Sequence, residues 1–210
     1  MRLPEKLVFA TNNAHKLEEA RAIIGELARA TSTECRVMSL AEIGCHDDVE
    51  ENAATLEGNA LIKARWIADR YGLPCFADDT GLEVEALGGL PGVHTARFAS
   101  MENPEAASHD SQANMRLLLK RLEGVSNRKA CFRTAIALII DGEEHLFDGR
   151  VDGTIAESPC GSEGFGYDPV FIPDGYSESF AQMSPAMKNS LSHRGRALAA
   201  MMKKFQTSTI

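Results

Sequence analysis

Apolar and polar residues follow two rhythms along the chain. Leu7-Val8-Phe9-Ala10 is a short apolar run of the kind a buried strand shows, and Leu17, Ala20, Ile24 and Leu27 then recur at helical spacing, so the chain opens strand, turn, helix. A second short strand is predicted near Cys35–Met38, and the acidic stretch Asp47-Asp48-Val49-Glu50-Glu51-Asn52, with little periodicity, reads as a loop. Thr55 is placed to cap a helix whose Leu56, Ala60, Ala64, Ile67 and Tyr71 share a face, with Gly72 and Pro74 ending it. Cys75-Phe76-Ala77 and Leu82–Leu87 read as strands on either side of Asp78-Asp79-Thr80-Gly81, and Gly88-Gly89-Leu90-Pro91-Gly92 is turn chemistry. Asn103-Pro104 is predicted to cap a helical region reaching about Leu122. Ala130–Ile140 is dense in β-formers, Asp141-Gly142 signals a hairpin, and Glu144–Ile155 alternates as a return strand. A last helix, from about Ser192 to Phe205, turns Leu198, Met201, Met202 and Phe205 toward a core. Interleaved strands and helices imply an α/β sheet fold, and the long hairpin argues against an all-parallel sheet.

Length and composition narrow the picture. At 210 residues, 44% hydrophobic and 25% charged, the chain can bury one good core, and residues 1–210 are expected to form a single domain, bilobed at most. The longest apolar run, Thr134-Ala135-Ile136-Ala137-Leu138-Ile139-Ile140, is far shorter than the ~20 residues of a membrane-spanning helix. Met1-Arg2-Leu3-Pro4-Glu5-Lys6 leads directly into the first strand without the apolar region of a signal peptide, so a cytoplasmic location is expected. Five cysteines, odd in number and never in C-x-x-C spacing, argue against a disulfide framework or a zinc site. A formal net charge of −8 disfavours a nucleic-acid partner, because phosphate-backbone affinity rests on a basic face. A small anionic ligand remains open, provided local cations or a metal offset the field.

Three clusters can carry chemistry. Thr11-Asn12-Asn13-Ala14-His15-Lys16, between the first strand and first helix, can bring backbone N–H groups, amides and a cation to phosphate oxygens, although it is not a P-loop and a solvated turn would read the same way. Glu50, Glu51, Asp78 and Asp79 form an acidic group. Adjacent strand residues face opposite ways, so only one of Asp78 and Asp79 can easily address a given cleft, and two carboxylates from different elements would suit Mg²⁺. An exposed acidic turn is the alternative. The third cluster is Gly164-Phe165-Gly166-Tyr167-Asp168-Pro169 with Lys188 and Ser192-His193-Arg194: glycines let backbone approach a ring, aromatics stack on it, and Asp168 can accept from a base or sugar. Packing roles for the aromatics, and a solvated pair at His193-Arg194, compete with that reading.

Taken in order, these segments resemble the inosine triphosphate pyrophosphatase, or Ham1-like, family. The resemblance runs from about Leu7 to Leu198 and is carried by Phe9-Ala10-Thr11-Asn12-Asn13 through Lys16-Leu17-Glu18-Glu19, Asn59-Ala60-Leu61-Ile62-Lys63-Ala64, and Ala77-Asp78-Asp79-Thr80-Gly81-Leu82. It continues through Ala86-Leu87-Gly88-Gly89-Leu90-Pro91-Gly92, Arg97, Gly164–Pro169, Lys188-Asn189 and Ser192-His193-Arg194. Two positions depart from the common pattern: His15 stands where many members have Gly, and Gly58 replaces an acidic residue common before the helical Asn.

The resemblance implies a homodimeric α/β protein with a long, mixed, twisted sheet flanked by helices, two lobes and a central substrate cleft. It implies hydrolysis of noncanonical purine nucleoside triphosphates to monophosphate and pyrophosphate. Thr11, Asn12, Asn13, Ala14, His15 and Lys16 would hold phosphates with Lys63; Glu51 and Asp79 would bind Mg²⁺, and Asp79 would also be the general base. Thr80 and Arg97 would line the substrate, and Phe165, Gly166, Tyr167, Asp168, Lys188, His193 and Arg194 would surround the nucleoside. The charges agree with this assignment, since a triphosphate would be repelled by four carboxylates unless a divalent ion and the lysines offset them. A general nucleotide pyrophosphatase and a non-catalytic nucleotide sensor are the rival readings; the presence of Glu51, Asp79 and Lys63 disfavours the sensor.

Overall fold

A computed structural model describes residues 1–103, 107 and 109–206. The first strand, β1 (Lys6–Phe9), leads through a turn into α1 (Ala14–Ala30), whose start is fixed by Asn13: its side chain accepts the Lys16 amide at 3.1 Å. A short strand β2 (Arg36–Met38) precedes α2 (Leu56–Tyr71), which Thr55 caps at the front and Gly72, at φ 62°, closes behind. The predicted acidic loop at 47–52 holds no helix or strand.

Next come β3 (Cys75–Val84), the two-residue β4 (Pro91–Gly92), a short α3 (Phe98–Glu102) and α4 (Ser111–Arg121). The long hairpin of β5 (Lys129–Ile140) and β6 (Glu143–Ile155) turns at Asp141 and Gly142, both with positive φ, as their sequence predicts. The chain ends in β7 (Phe171–Pro173), α5 (Pro185–Leu191) and α6 (His193–Gln206). The sheet runs β2-β1-β3-β5-β6-β7, with β4 paired to β3. Pairing of β1 with β2 and β3 is parallel, whereas β3–β4 and β6–β7 are antiparallel, so the sheet is mixed.

Three local expectations change. Asp78-Asp79-Thr80-Gly81 does not interrupt two strands; β3 runs straight through it and stops at Val84, with a 3₁₀ turn over Glu85–Leu87. The cap of α4 is Asp110, whose side chain accepts the Ala113 amide, while Asn103 ends α3 and Pro104 lies outside the described residues. Helix α5 was not expected at all, although Ser184-Pro185 is a strong start: Ser184 caps and Pro185 takes the first turn.

The chain divides into two compact units. Among the described residues, the first comprises 1–79, 134–149 and 193–206, and the second 80–103, 107, 109–133 and 150–192. Strand alternation builds two cores in the first unit. Leu7, Phe9, Phe76, Ile136, Leu138 and Ile140 pack with α1 and α6, and the Phe9 and Phe76 rings stack at 4.3 Å. Their neighbours Val8, Cys75, Ala77, Ala137 and Ile139 pack with Ala60, Ala64 and Ile67 of α2. Both faces being covered explains why these strands read as continuous apolar runs. The second unit has its own core around Phe98, Leu118, Phe132, Phe171 and Phe180, with Phe132 edge-on to Phe171 at 4.7 Å.

Candidate active site

In the first unit, charged side chains converge on the middle of β3. Asp78 is 1% exposed; its Oδ1 accepts Lys16 Nζ at 3.0 Å and its Oδ2 accepts Arg194 Nε at 3.0 Å. Arg194, from the first turn of α6, is itself buried and also donates through Nη1 to Glu19 of α1. Burial alone would raise the Asp78 carboxyl, but Lys16, Arg194 and Lys63 together hold it well below the usual carboxylate range. Burial, with the like charges of Lys63 and Arg194 behind it, lowers the Lys16 ammonium despite the Asp78 carboxylate.

Asp79 points to the other side of the strand. Its Oδ2 accepts the Asn59 side-chain amide at 2.9 Å, and its carboxyl is raised, first by burial and further by the neighbouring Glu51, against the opposing pull of Lys63 and Lys16. Lys63 donates to Glu51 Oε1 and to the Asp78 carbonyl, each at 2.7 Å. Asn59 and Lys63 lie one turn apart on the buried side of α2, so the helix delivers an amide and a cation to the same stretch of strand. The sequence expectation that Asp78 and Asp79 serve different sides is met.

The segment 11–16 forms the turn before α1. Thr11 and Asn13 are half-buried, with the Asn13 amide donating to Thr11 Oγ1 at 3.1 Å, whereas Asn12, Ala14 and His15 are exposed. The structure thus brings Lys16, Lys63, Glu51 and Asp79 together with Arg194. His193 is buried beside it at the start of α6.

The second unit holds a tighter group. Asp168 and Lys188 are both buried, and Asp168 Oδ2 accepts Lys188 Nζ and the Phe165 amide, each at 2.7 Å. The Lys188 ammonium lies 4.9 Å from the Phe165 ring centroid, within cation–π range. Gly164 is required here: its φ is +75°, and a Cβ would stand 2.2 Å from Asp168 Oδ2. Tyr167 is a core residue whose hydroxyl donates to the Thr95 carbonyl at 3.0 Å, and burial pushes that hydroxyl's pKa up. Gly166 and Arg97 are half-buried, and Arg97 Nε approaches His94 Nδ1 at 3.4 Å; Thr80, half-buried on β3, is the first residue of this unit.

Sequence reasoning gave no role to Asn59, Glu19 or Asp78 as an anchor. The readable signal was the polar pair Asn59 and Lys63 on the apolar side of a helix; Glu19 and Arg194, 175 positions apart, offered none.

A family model for the Ham1 family matches residues 7–204. The chain belongs to the Ham1 family. A relative from Porphyromonas gingivalis, named dITP/XTP pyrophosphatase, is 53% identical over 198 residues, 94% of this chain and 95% of that protein. Among solved Ham1 structures, the Coxiella burnetii protein is similar at a TM-score of 0.83 and 34% identity, covering 98% of this chain and all of that one. The Staphylococcus aureus Ham1 protein gives 0.82 and 32%, covering 97% and 100%. The mixed sheet flanked by helices is therefore the Ham1 fold.

Proposed function

We propose that this Ham1 protein hydrolyses noncanonical purine nucleoside triphosphates, those of inosine, deoxyinosine and xanthosine, to the monophosphate and pyrophosphate. The observation that carries the reading is the cluster at buried Asp79, where Asn59 donates to its carboxylate and Lys63, one turn along α2, donates to Glu51 and to the Asp78 carbonyl. The name of the 53% identical relative supports the substrate class.

In this reading Asp79, a buried carboxyl held by the Asn59 amide, takes the proton of a water attacking the α-phosphorus. Lys16 and Lys63 bring positive charge to the β- and γ-phosphates, which leave together as pyrophosphate. Thr11, Asn12, Asn13, Ala14 and His15 supply amides and side chains to the same phosphates. The residues also fit a Mg²⁺ ion. Glu51 and Asp79 are hard oxygen donors, and burial, with Glu51 nearby, disfavours the charge of Asp79 until a cation offsets it. Among the described residues no group of three or more His, Cys, Asp and Glu could hold a metal, and Mg²⁺ needs only one or two carboxylates, completing its shell with water and phosphate oxygens. When bound, the ion would offset the triphosphate charge and steady the charge developing on the leaving group.

In the second unit, Phe165 offers a ring to stack on a base, Gly166 an open backbone approach, and Asp168 with Lys188 an acceptor and a donor. Thr80, Arg97 and Tyr167 of the same unit belong to the nucleoside set in this reading. We further infer a homodimer, chiefly from the family resemblance, with the half-buried Ile62 of α2 as local support, and a cytoplasmic location, in keeping with five unpaired thiols. No described helix is long and apolar enough to cross a membrane.

A triphosphate panel with product identification tests the reading. Inosine and xanthosine triphosphates should exceed adenosine triphosphate by at least ~10²-fold in kcat/KM, because a site that donates to a 6-oxo group rejects a 6-amino group. The products should be monophosphate and pyrophosphate, and EDTA should abolish turnover until Mg²⁺ is restored. Equal kcat/KM for adenosine and inosine triphosphates would replace the proposal with a general nucleotide pyrophosphatase. Light scattering at micromolar concentration should return twice the chain mass.

A further inference from the structure

Asn59 is fully buried on α2, yet its side chain serves two elements outside that helix. Its Nδ2 donates to Asp79 Oδ2 at 2.9 Å, and its Oδ1 accepts the backbone N–H of Ala53 at 2.9 Å. The carboxylate can only accept and the backbone amide can only donate, so just one orientation of the Asn59 amide satisfies both. Ala53 is two residues beyond Glu51, in the segment that precedes the Thr55 cap.

The residue before it points the same way. A Cβ at Gly58 would stand 2.6 Å from Ala53 Cβ and 3.1 Å from Thr55 Oγ1, so the loop lies directly on the helix and a side chain at 58 would have to displace it. That contact gives a physical reason for Gly58 where an acidic residue is common. Helix formation accounts for neither feature. Leu56, Ala60, Ala64 and Ile67 already supply the apolar stripe, and a glycine within a helix is destabilising by about 1 kcal/mol relative to alanine.

We propose that Asn59 is a positioning residue for the pyrophosphatase reaction: one end of its amide fixes the rotation of the Asp79 carboxylate, and the other, with Gly58 beneath the loop, fixes the approach of Glu51. The two acidic groups are then held in one mutual geometry for a divalent cation before substrate arrives. This inference rests on the reading of Glu51 and Asp79 as the cation-binding pair.

The test measures Mn²⁺ binding without substrate, by the loss of the free-ion EPR signal, together with kcat, KM and the thermal midpoint. Asn59→Leu keeps the volume and removes both hydrogen bonds; Gly58→Ala keeps Asn59 and displaces the loop. Asn59→Leu should weaken Mn²⁺ binding and lower kcat by roughly 10–100-fold, the range seen when a residue orienting a metal ligand is removed, with little change in KM. Gly58→Ala should weaken Mn²⁺ binding in the same direction by a smaller factor while remaining folded. Wild-type Mn²⁺ affinity in a folded Asn59→Leu protein, with only the thermal midpoint lowered, would overturn the proposal and leave Asn59 a purely structural residue. Should Asn59→Leu fail to fold, unchanged Mn²⁺ affinity in Gly58→Ala overturns it. Failure of the wild-type protein to bind Mn²⁺ would instead remove the cation-binding pair itself, and this inference with it.

Discussion

On the α1 and α6 side of β3, Asp78 meets two cations; one residue along, on the α2 side, Asp79 meets an amide. Both carboxyls are buried, and burial raises both. The outcome differs because Lys16 and Arg194 bond directly to Asp78 and overcome that penalty, whereas at Asp79 the Asn59 amide, Lys63 and Lys16 do not outweigh burial and the like charge of Glu51. The contrast separates two uses of a buried acid. A fully compensated carboxylate fixes its partners in place, and an under-compensated one retains the capacity to take up a proton or a cation.

Substitution of each acid by its amide tests that division, and the largest effect should fall on turnover. Asp79→Asn should lower kcat by about 10²–10⁴-fold, the usual worth of a general base, with an unchanged circular dichroism spectrum. Near wild-type turnover would make the two acids equivalent and end the comparison.

The next effect is on stability. Asp78→Asn leaves Lys16 and Arg194 without their shared carboxylate and should cost about 3–5 kcal/mol in urea unfolding, as removing one partner of a buried ion pair does. The pH dependence follows from the depressed carboxyl. Its contribution is complete above the unfolded carboxyl range, roughly pH 4, and is lost as pH falls toward the lower folded value. The wild type should therefore show an acid-side loss of stability that Asp78→Asn lacks. An amide variant as stable as wild type at pH 7 would show that Asp78 anchors nothing.

The smallest effect has the opposite sign. Asp79 has a raised folded pKa, so its ionised form is disfavoured by folding at neutral pH, and that penalty vanishes below the unfolded carboxyl range. Without divalent cations, Asp79→Asn should raise the thermal midpoint at pH 7, and the difference should close toward pH 4. A lowered midpoint would mean that Asp79 is compensated after all.

Strand alternation was enough to place Asp78 and Asp79 on opposite sides, whereas Lys63 was named only through the family resemblance. Local chemistry misled at Asp78-Asp79-Thr80-Gly81, which has the composition of a turn. The strand continues there because the carboxylates find donors from distant segments, Arg194 lying 116 positions away, and no local pattern encodes such a partner. For the same reason Arg194 was placed correctly at the start of a helix while its contacts with Asp78 and Glu19 were not foreseen. Lys188 was picked out by motif order alone, because the short helix that carries it was missed. Its bond to Asp168 then follows from the turn that Gly164 makes possible.

Helix α6 also sets an order of events during synthesis. Leu198, Met201, Met202 and Phe205 share a core with Leu7, Phe9 and Ile24, so a ribosome must translate past residue 205 before these earlier apolar segments are covered. Until then α1 presents an unsealed apolar side, and Asp78 lacks the guanidinium that completes its shell. A nascent chain stalled short of residue 193 would hold its first strand and helix open to chaperones and proteases, so a frameshift shortly before α6 would expose segments made long before it.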